Sequence, residues 1–226
     1  MKRCLKCLHT FNGGSWQCPV CEFQPSKFND FLQFAPELDL TDEGFDPAAF
    51  ETLFELESGN FWFRSRNRLI TWAIDKYFHN SDSYLEVGCG TGFVLAAIRE
   101  RFPGMASSGS EIHSAGLEMS QNRLADIPLW QMDARSIPFV DEFDLYGAFD
   151  VLEHIKEDER LLEQMYSDVR PGGGILLTVP QHPFLWSTAD EAACHDRRYK
   201  RSELKQKVVD AGFEIVRTTS FVTSLL

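Results

Sequence analysis

The stretch Tyr84-Leu85-Glu86-Val87-Gly88-Cys89-Gly90-Thr91-Gly92-Phe93, running on into Val94-Leu95-Ala96-Ala97-Ile98, decides the fold. A short apolar strand carries one acid, glycines stand at alternate positions, and helix-favouring residues follow at once. Glycine opens φ > 0 and removes the Cβ, so a strand can turn sharply into a helix and a ligand can lie against bare backbone. Glu86, ahead of the first glycine, puts a carboxylate where it can position a polar ligand group. Turns of this kind mark nucleotide-type cofactors. The spacing is G-x-G-x-G rather than G-x-G-x-x-G, and an acid replaces the apolar residue expected before the first glycine; both features disfavour a nicotinamide dehydrogenase.

Working outward, residues 93–101 read as a helix and 106–110 as a second strand ending in Glu111. An acid about 20 residues past the glycines can accept hydrogen bonds from both ribose hydroxyls. A helix near 114–124 follows, then a third strand over 127–132 closed by Asp133-Ala134, and a fourth over 143–149 leading into Asp150-Val151-Leu152-Glu153-His154. Residues 169–180 read as a turn and a fifth strand, and 202–211 as a helix. Residues 213–219 fit a sixth strand, with little chain left for a seventh. The sheet is then short of one strand, or the chain was cut before a further segment.

These ordered segments resemble the class I S-adenosylmethionine-dependent methyltransferases over roughly residues 60–220. The resemblance implies an α/β fold, a Rossmann-like and mostly parallel sheet with helices on both faces, and S-adenosylmethionine as methyl donor. It implies donor contacts from the turn (Glu86, Gly88, Cys89, Gly90, Gly92, Phe93), from Glu111 and Ile112 at the ribose, and from Asp133 and Ala134 at the adenine, with Asp150 beyond. In related enzymes an aromatic- and arginine-bearing helix precedes this turn. Phe63 and Arg64 match it, the arginine pairing with the methionine carboxylate; the alternative is that the segment merely packs on the sheet.

Methyl transfer from a sulfonium needs alignment and exclusion of water more than elaborate catalysis, but a hydroxyl acceptor also calls for a base. His154 and His182 follow the fourth and fifth strands, at the carboxyl edge where ligands sit in such sheets. Asp150, Glu153 and His154 are similar to a stretch of ubiquinone-biosynthesis O-methyltransferases that can hold a divalent cation. Many members share Glu-His here without a metal, so no Mg²⁺ is expected. Trp186, His195, Arg197, Arg198 and Tyr199 lie between the fifth strand and the next helix. They form either a lid suited to an acidic or phosphorylated acceptor or a solvated charge cluster.

Ahead of this domain, Cys4-Leu5-Lys6-Cys7 and Cys18-Pro19-Val20-Cys21 are two C-x-x-C pairs. Each puts two sulfurs on one side of a tight turn, and together they close a tetrahedron around structural Zn²⁺, with Gly13-Gly14 doubling the chain back. Disulfides or a redox dithiol are the alternative. Residues 1–27 thus read as a small zinc ribbon held together by its metal. Residues 28–59 read as a linker and a helix with Asp46 as N-cap and Pro47 at its first position.

Net charge is −12. Lys2, Arg3, Lys6 and Lys27 against Glu22 give residues 1–27 a charge of +3, leaving −15 on the rest. That balance disfavours a general grip on nucleic acid. No secretory signal is visible. The longest run without charged residues, 171–189, is broken by Pro180 and Pro183, so no membrane span and a cytoplasmic location are expected. The apolar run 221–226 invites dimerisation or a peripheral membrane contact. The leading reading is a methyltransferase for a small-molecule or lipid- or sugar-linked acceptor. The alternatives are an rRNA or tRNA methyltransferase using the ribbon on RNA, and a non-catalytic module of the same fold.

Overall fold

The computed structural model describes residues 1–39 and 45–221. Its centre is a seven-stranded sheet in the order β3-β4-β7-β6-β5-β8-β9. The strands are β3 (Ser26–Phe28), β4 (Phe31–Gln33), β5 (Ser83–Val87), β6 (Ala106–Glu111), β7 (Leu129–Gln131), β8 (Phe143–Phe149) and β9 (Val169–Thr178). All neighbours run parallel except the β3–β4 hairpin.

Strand alternation divides the core between two faces. Tyr84, Leu145 and Phe149 pack with Ile70 and Ile74 of α2 (Phe61–Tyr77), Leu95 and Ile98 of α3 (Phe93–Arg101) and Leu117 of α4 (Ser114–Arg123). Leu85, Val87, Tyr146 and Ala148 pack on the other side with Leu161, Leu162 and Met165 of α5 (Asp158–Asp168) and Leu204 and Val208 of α7 (Arg201–Asp210). Between β8 and β9 the pairing jumps from Phe143–Val169 to Leu145–Gly174, so Pro171-Gly172-Gly173 bulges out of register. No helix among the described residues is long and apolar enough to cross a membrane.

Four expectations need correction. Residues 26–33, read as ribbon end and linker, form the β3–β4 hairpin, and β4 extends the sheet beyond β7 through Leu32–Trp130 and Gln33–Gln131. Three-residue strands carry no readable period, and the free edge of β7 is what recruits them. Residues 40–44 of that segment lie outside the described residues. Residues 213–219 form no strand: Phe213 and Ile215 alternate as a strand would, but no strand among the described residues pairs with them. Asp46 accepts from Ala48 N at 2.9 Å in a turn ahead of α1 (Ala49–Leu56), so neither it nor Pro47 holds the expected helix position. Gly13-Gly14 does not make the hairpin turn between β1 (Lys2–Arg3) and β2 (Thr10–Phe11); the Cys4–His9 loop does, with Cys4 N donating to His9 O at 2.9 Å. Residues 222–226 of the apolar end lie outside the described residues.

The cysteine module is docked on the sheet domain rather than hung from it. Arg3 forms a two-pronged pair with the fully buried Asp168 at 2.6 and 3.1 Å, and its backbone N–H donates to Pro138 O. Trp16 packs edge-on against Phe34 and Phe139, with centroids 4.7 and 5.6 Å away.

Candidate functional site

The carboxyl ends of β5, β6, β8 and β9 open into one cavity of about 1610 Å³. That is roomier than the roughly 300–1,000 Å³ typical of a single small-ligand pocket. Its floor is the turn after β5. Gly88 and Gly90 take φ of 69° and 51°, and a Cβ on Gly88 would meet Val151 Cγ2 at 2.6 Å. Gly92, also left-handed, is the N-cap of α3 and does not line the cavity.

Glu111 ends β6 facing this turn. Its Oε2 accepts from Gly90 N at 3.0 Å and its Oε1 from Ile112 N at 2.8 Å, so the acid and the glycine loop hold each other in place. Burial pushes its carboxyl up; the nearby His113 and these backbone donors pull the other way. Glu86, fully buried, accepts from Tyr84 Oη at 3.1 Å. Burial pushes its carboxyl up to about 8, with repulsion from Glu57 and Glu111 adding to it and the Tyr84 hydroxyl and Arg66 opposing it. Cys89, Phe93, Ile112, Asp133 and Ala134 also line the cavity. Asp133 is already engaged by Arg135 through its backbone N–H at 2.8 Å and its Nε at 3.0 Å.

On α2 the structure corrects the choice of arginine. Arg64 is exposed and off the cavity, whereas Arg66, two residues on, is buried and lines it beside Phe63. Arg66 pairs with Asp150, lies over the Trp62 ring at 4.7 Å, and has a buried Nε with no partner among the described residues. Helical rotation decides this: two residues turn about 200°, from solvent to cleft. Asp150, held at φ 58°, also accepts from Thr178 Oγ1 at 3.0 Å.

A roof over the turn was missed in the sequence. Glu57, at the end of α1, accepts from Thr91 Oγ1 at 2.6 Å and from Arg123 at 3.0 Å, and Phe50 sits 3.6 Å from where a Gly90 Cβ would be. An acid four positions before a helix gives no signal by itself.

The acceptor side also differs from expectation. His154, His182 and His195 line the cavity; Trp186 and Arg197 do not. His182, at φ 69°, pairs through its backbone with Tyr199 O and packs beside Phe184. The arginines are not free for an anion. Arg198 grips the buried Asp190 at 2.6 and 2.9 Å, and Arg197 reaches Asp158 at 3.3 Å and Lys156 O at 3.0 Å. Burial alone would raise the Asp190 carboxyl, but hydrogen bonds from Arg198 and His195 hold it well below the usual range. Arg198 and Tyr199 line the cavity as well, but Tyr199 is 1% exposed and its hydroxyl is committed to Asp158 Oδ2 at 2.6 Å. Tyr199→Phe is expected to lower stability by about 1–2 kcal/mol in urea unfolding, with donor affinity unchanged, since it strips a hydrogen bond from a buried acid.

Comparison with known proteins matches residues 35–218 to the family described as "Methyltransferase domain". The cysteine module lies outside that match. The chain is 24% identical over 173 residues to a probable S-adenosylmethionine-dependent methyltransferase of Mycolicibacterium smegmatis, covering 74% of this chain and 65% of that protein. It is 30% identical over 118 residues to trans-aconitate 2-methyltransferase of Deinococcus radiodurans, covering 47% and 43%. It therefore spans less than two thirds of the length of each. Phosphoethanolamine N-methyltransferase 2 of Haemonchus contortus, solved with S-adenosyl-L-methionine, has a similar fold: TM-score 0.62 at 20% identity, over 80% of this chain and 44% of that one.

Proposed function

Since the chain belongs to the methyltransferase-domain family, we propose that it transfers a methyl group from S-adenosylmethionine to a small-molecule acceptor. One observation carries this: a buried acid at the end of β6 faces a left-handed glycine turn and is hydrogen-bonded to it. The rest of the cleft fits the same donor. Glu86 would take the ammonium, Arg66 the carboxylate, Glu111 the vicinal ribose hydroxyls, and Asp133 and Ala134 the adenine edge, a reading supported by their all lining the one cavity.

The sulfonium supplies an electrophilic methyl that already carries its leaving group. The chain's own work is to hold that group against the turn, keep water out under the α1 roof, and accept a proton from a hydroxyl or ammonium acceptor. His154 and His182 stand on the cavity wall for that last task. Four cysteines with sulfurs 3.5 Å (Cys4–Cys21) and 3.6 Å (Cys7–Cys18) apart, all within 4.8 Å, fit a tetrahedral zinc, whose S–S edge is about 3.8 Å. Such a zinc is structural, because four thiolates leave no open position.

Titration calorimetry with S-adenosylhomocysteine is expected to show one site per chain, weakened at least about tenfold by Glu111→Gln, which loses charge-assisted hydrogen bonds. No heat of binding in a folded, zinc-loaded protein would instead favour a non-catalytic module.

A further inference from the structure

Phe184 is 81% exposed, more than any other large apolar side chain among the described residues, and Trp186, two residues on, is 40% exposed. Both belong to the loop after β9, Pro183-Phe184-Leu185-Trp186. Neither lines the cavity, whereas Leu185 between them does. The loop is thus a rim of the cleft, with one side chain turned inward and two turned out. Nor is it loose. Leu185 N donates to His182 O at 2.9 Å and Trp186 N to Pro183 O at 3.2 Å. Ser187 then forms a capping box with Asp190 at the start of α6 (Thr188–Ala192), and Arg198 grips that acid at 2.6 Å. Two aromatic rings are therefore braced in water, where burying them would be favourable.

Cations flank the rings. Gln181 and Tyr199 form a parallel bridge, with His182 N donating to Tyr199 O at 3.0 Å and Tyr199 N to Pro180 O at 2.9 Å. That bridge sets the aromatic loop beside the start of α7. Residues 197–207 carry six cations against the single acid Glu203, in a chain whose net charge is −12. Arg197 and Lys207 answer the buried Asp158, and Arg198 answers Asp190. Lys200, Arg201 and Lys205 are exposed, the last two four apart and so on one face of α7. Arg201 reaches the neutral Ser220 hydroxyl at 2.7 Å and keeps its charge. Glu191, Asp196 and Glu203, also exposed, oppose them in part.

We propose that this rim docks on the surface of an anionic lipid bilayer, with Phe184 and Trp186 entering the headgroup boundary and Lys200, Arg201 and Lys205 meeting lipid phosphates. Aromatic side chains, tryptophan above all, favour that boundary because an apolar ring and a polar edge are satisfied together. A protein partner fits the face less well. Interface cores shed charge and cover about 800 Å² per side, whereas here two rings project from a four-residue loop between cations. Apolar insertion and attraction to anionic lipid add together in such a contact. The acidic remainder of the chain is repelled, so the contact is confined to this face and weakens with salt. Because Leu185 lies on the cavity side of the same loop, docking turns the mouth of the cleft towards the lipid.

Flotation of the full chain with vesicles of phosphatidylcholine, alone or mixed with phosphatidylglycerol, tests this. Binding to the mixed vesicles is expected, with tryptophan emission moving to the blue in the wild type and far less in Trp186→Phe. Phe184→Ser should weaken binding at least about tenfold. Lys200→Gln with Lys205→Gln should weaken it about fivefold per charge removed. Thermal midpoints should stay unchanged, because all three side chains are exposed. No binding, binding indifferent to Phe184→Ser, or binding indifferent to phosphatidylglycerol would each overturn the assignment. A dimer in analytical ultracentrifugation that Phe184→Ser dissociates would overturn it too, giving the ring to a second copy of the chain. No methyl donor is present in these measurements, so neither outcome bears on the methyl-transfer reading.

Discussion

Replacing Cys18 and Cys21 together by serine, or stripping metal with a chelator, is expected to cost several kcal/mol of stability. Structural zinc supplies apparent binding free energies of about 10 kcal/mol or more, and so short a module has little core to fall back on. The loss should reach beyond the module. Trp16 packs on Phe34 at the end of the β3–β4 hairpin, Ala35 pairs with the Gln131 side chain through its N–H and carbonyl at 3.0 and 2.8 Å, and Asp39 caps Ser114 at the start of α4 at 2.6 Å. Gln131 in turn pairs with Glu111 across β6 and β7 and stands two residues before Asp133, both of which line the cleft. Zinc-free protein is therefore expected both to melt earlier and to bind S-adenosylhomocysteine more weakly. Thermal unfolding beside metal analysis by mass spectrometry measures the first and calorimetry the second. An unchanged melting midpoint after complete metal removal would show that the thiols are not a staple.

The second large effect is on pH dependence. Glu86 is raised from an ordinary 4.5 to about 8 by burial. A raised folded pKa means that the native state binds the proton more tightly than the unfolded chain. The stability Glu86 contributes is thus whole below about pH 4.5 and is lost as pH rises towards 8. The shift corresponds to roughly 5 kcal/mol across that window as an upper order of magnitude. In Glu86→Gln this part of the slope should vanish, while the remainder of the pH profile stays. Binding reverses the situation: a ligand ammonium beside Glu86 favours the carboxylate, so the site should release a proton as it fills near pH 7. Calorimetry in two buffers of different ionisation enthalpy reads that proton directly. Identical heats in both buffers would mean that Glu86 keeps its proton, or never held one.

Much of the sheet domain was legible because its signals are local. A strand of buried residues, a glycine turn and an immediate helix can be read within fifteen residues, and β5, α3, β6, α4, β8 and β9 lie where that pattern puts them. The two cysteine pairs were legible for the same reason, since a C-x-x-C turn is a local object. Arg66 was not, because its choice over Arg64 depends on how α2 rotates against the sheet. Nor were the commitments of Arg197 and Tyr199 to Asp158, an acid of α5 some forty residues back, or of Arg198 to Asp190, one of several acids near it in sequence.

By itself the sequence determined the α/β architecture, the glycine turn and the order of the acids along it. These follow from backbone conformations and side-chain periods that neighbouring residues impose on one another. Tertiary structure alone decided that residues 26–33 extend the sheet, that 213–219 pair with no strand among the described residues, and that Glu153, His154 and His195 converge. Pairing a strand with a free edge, or bringing a loop histidine to a buried acid forty residues away, is settled by which surfaces remain uncovered once the core has packed, and no local pattern records that.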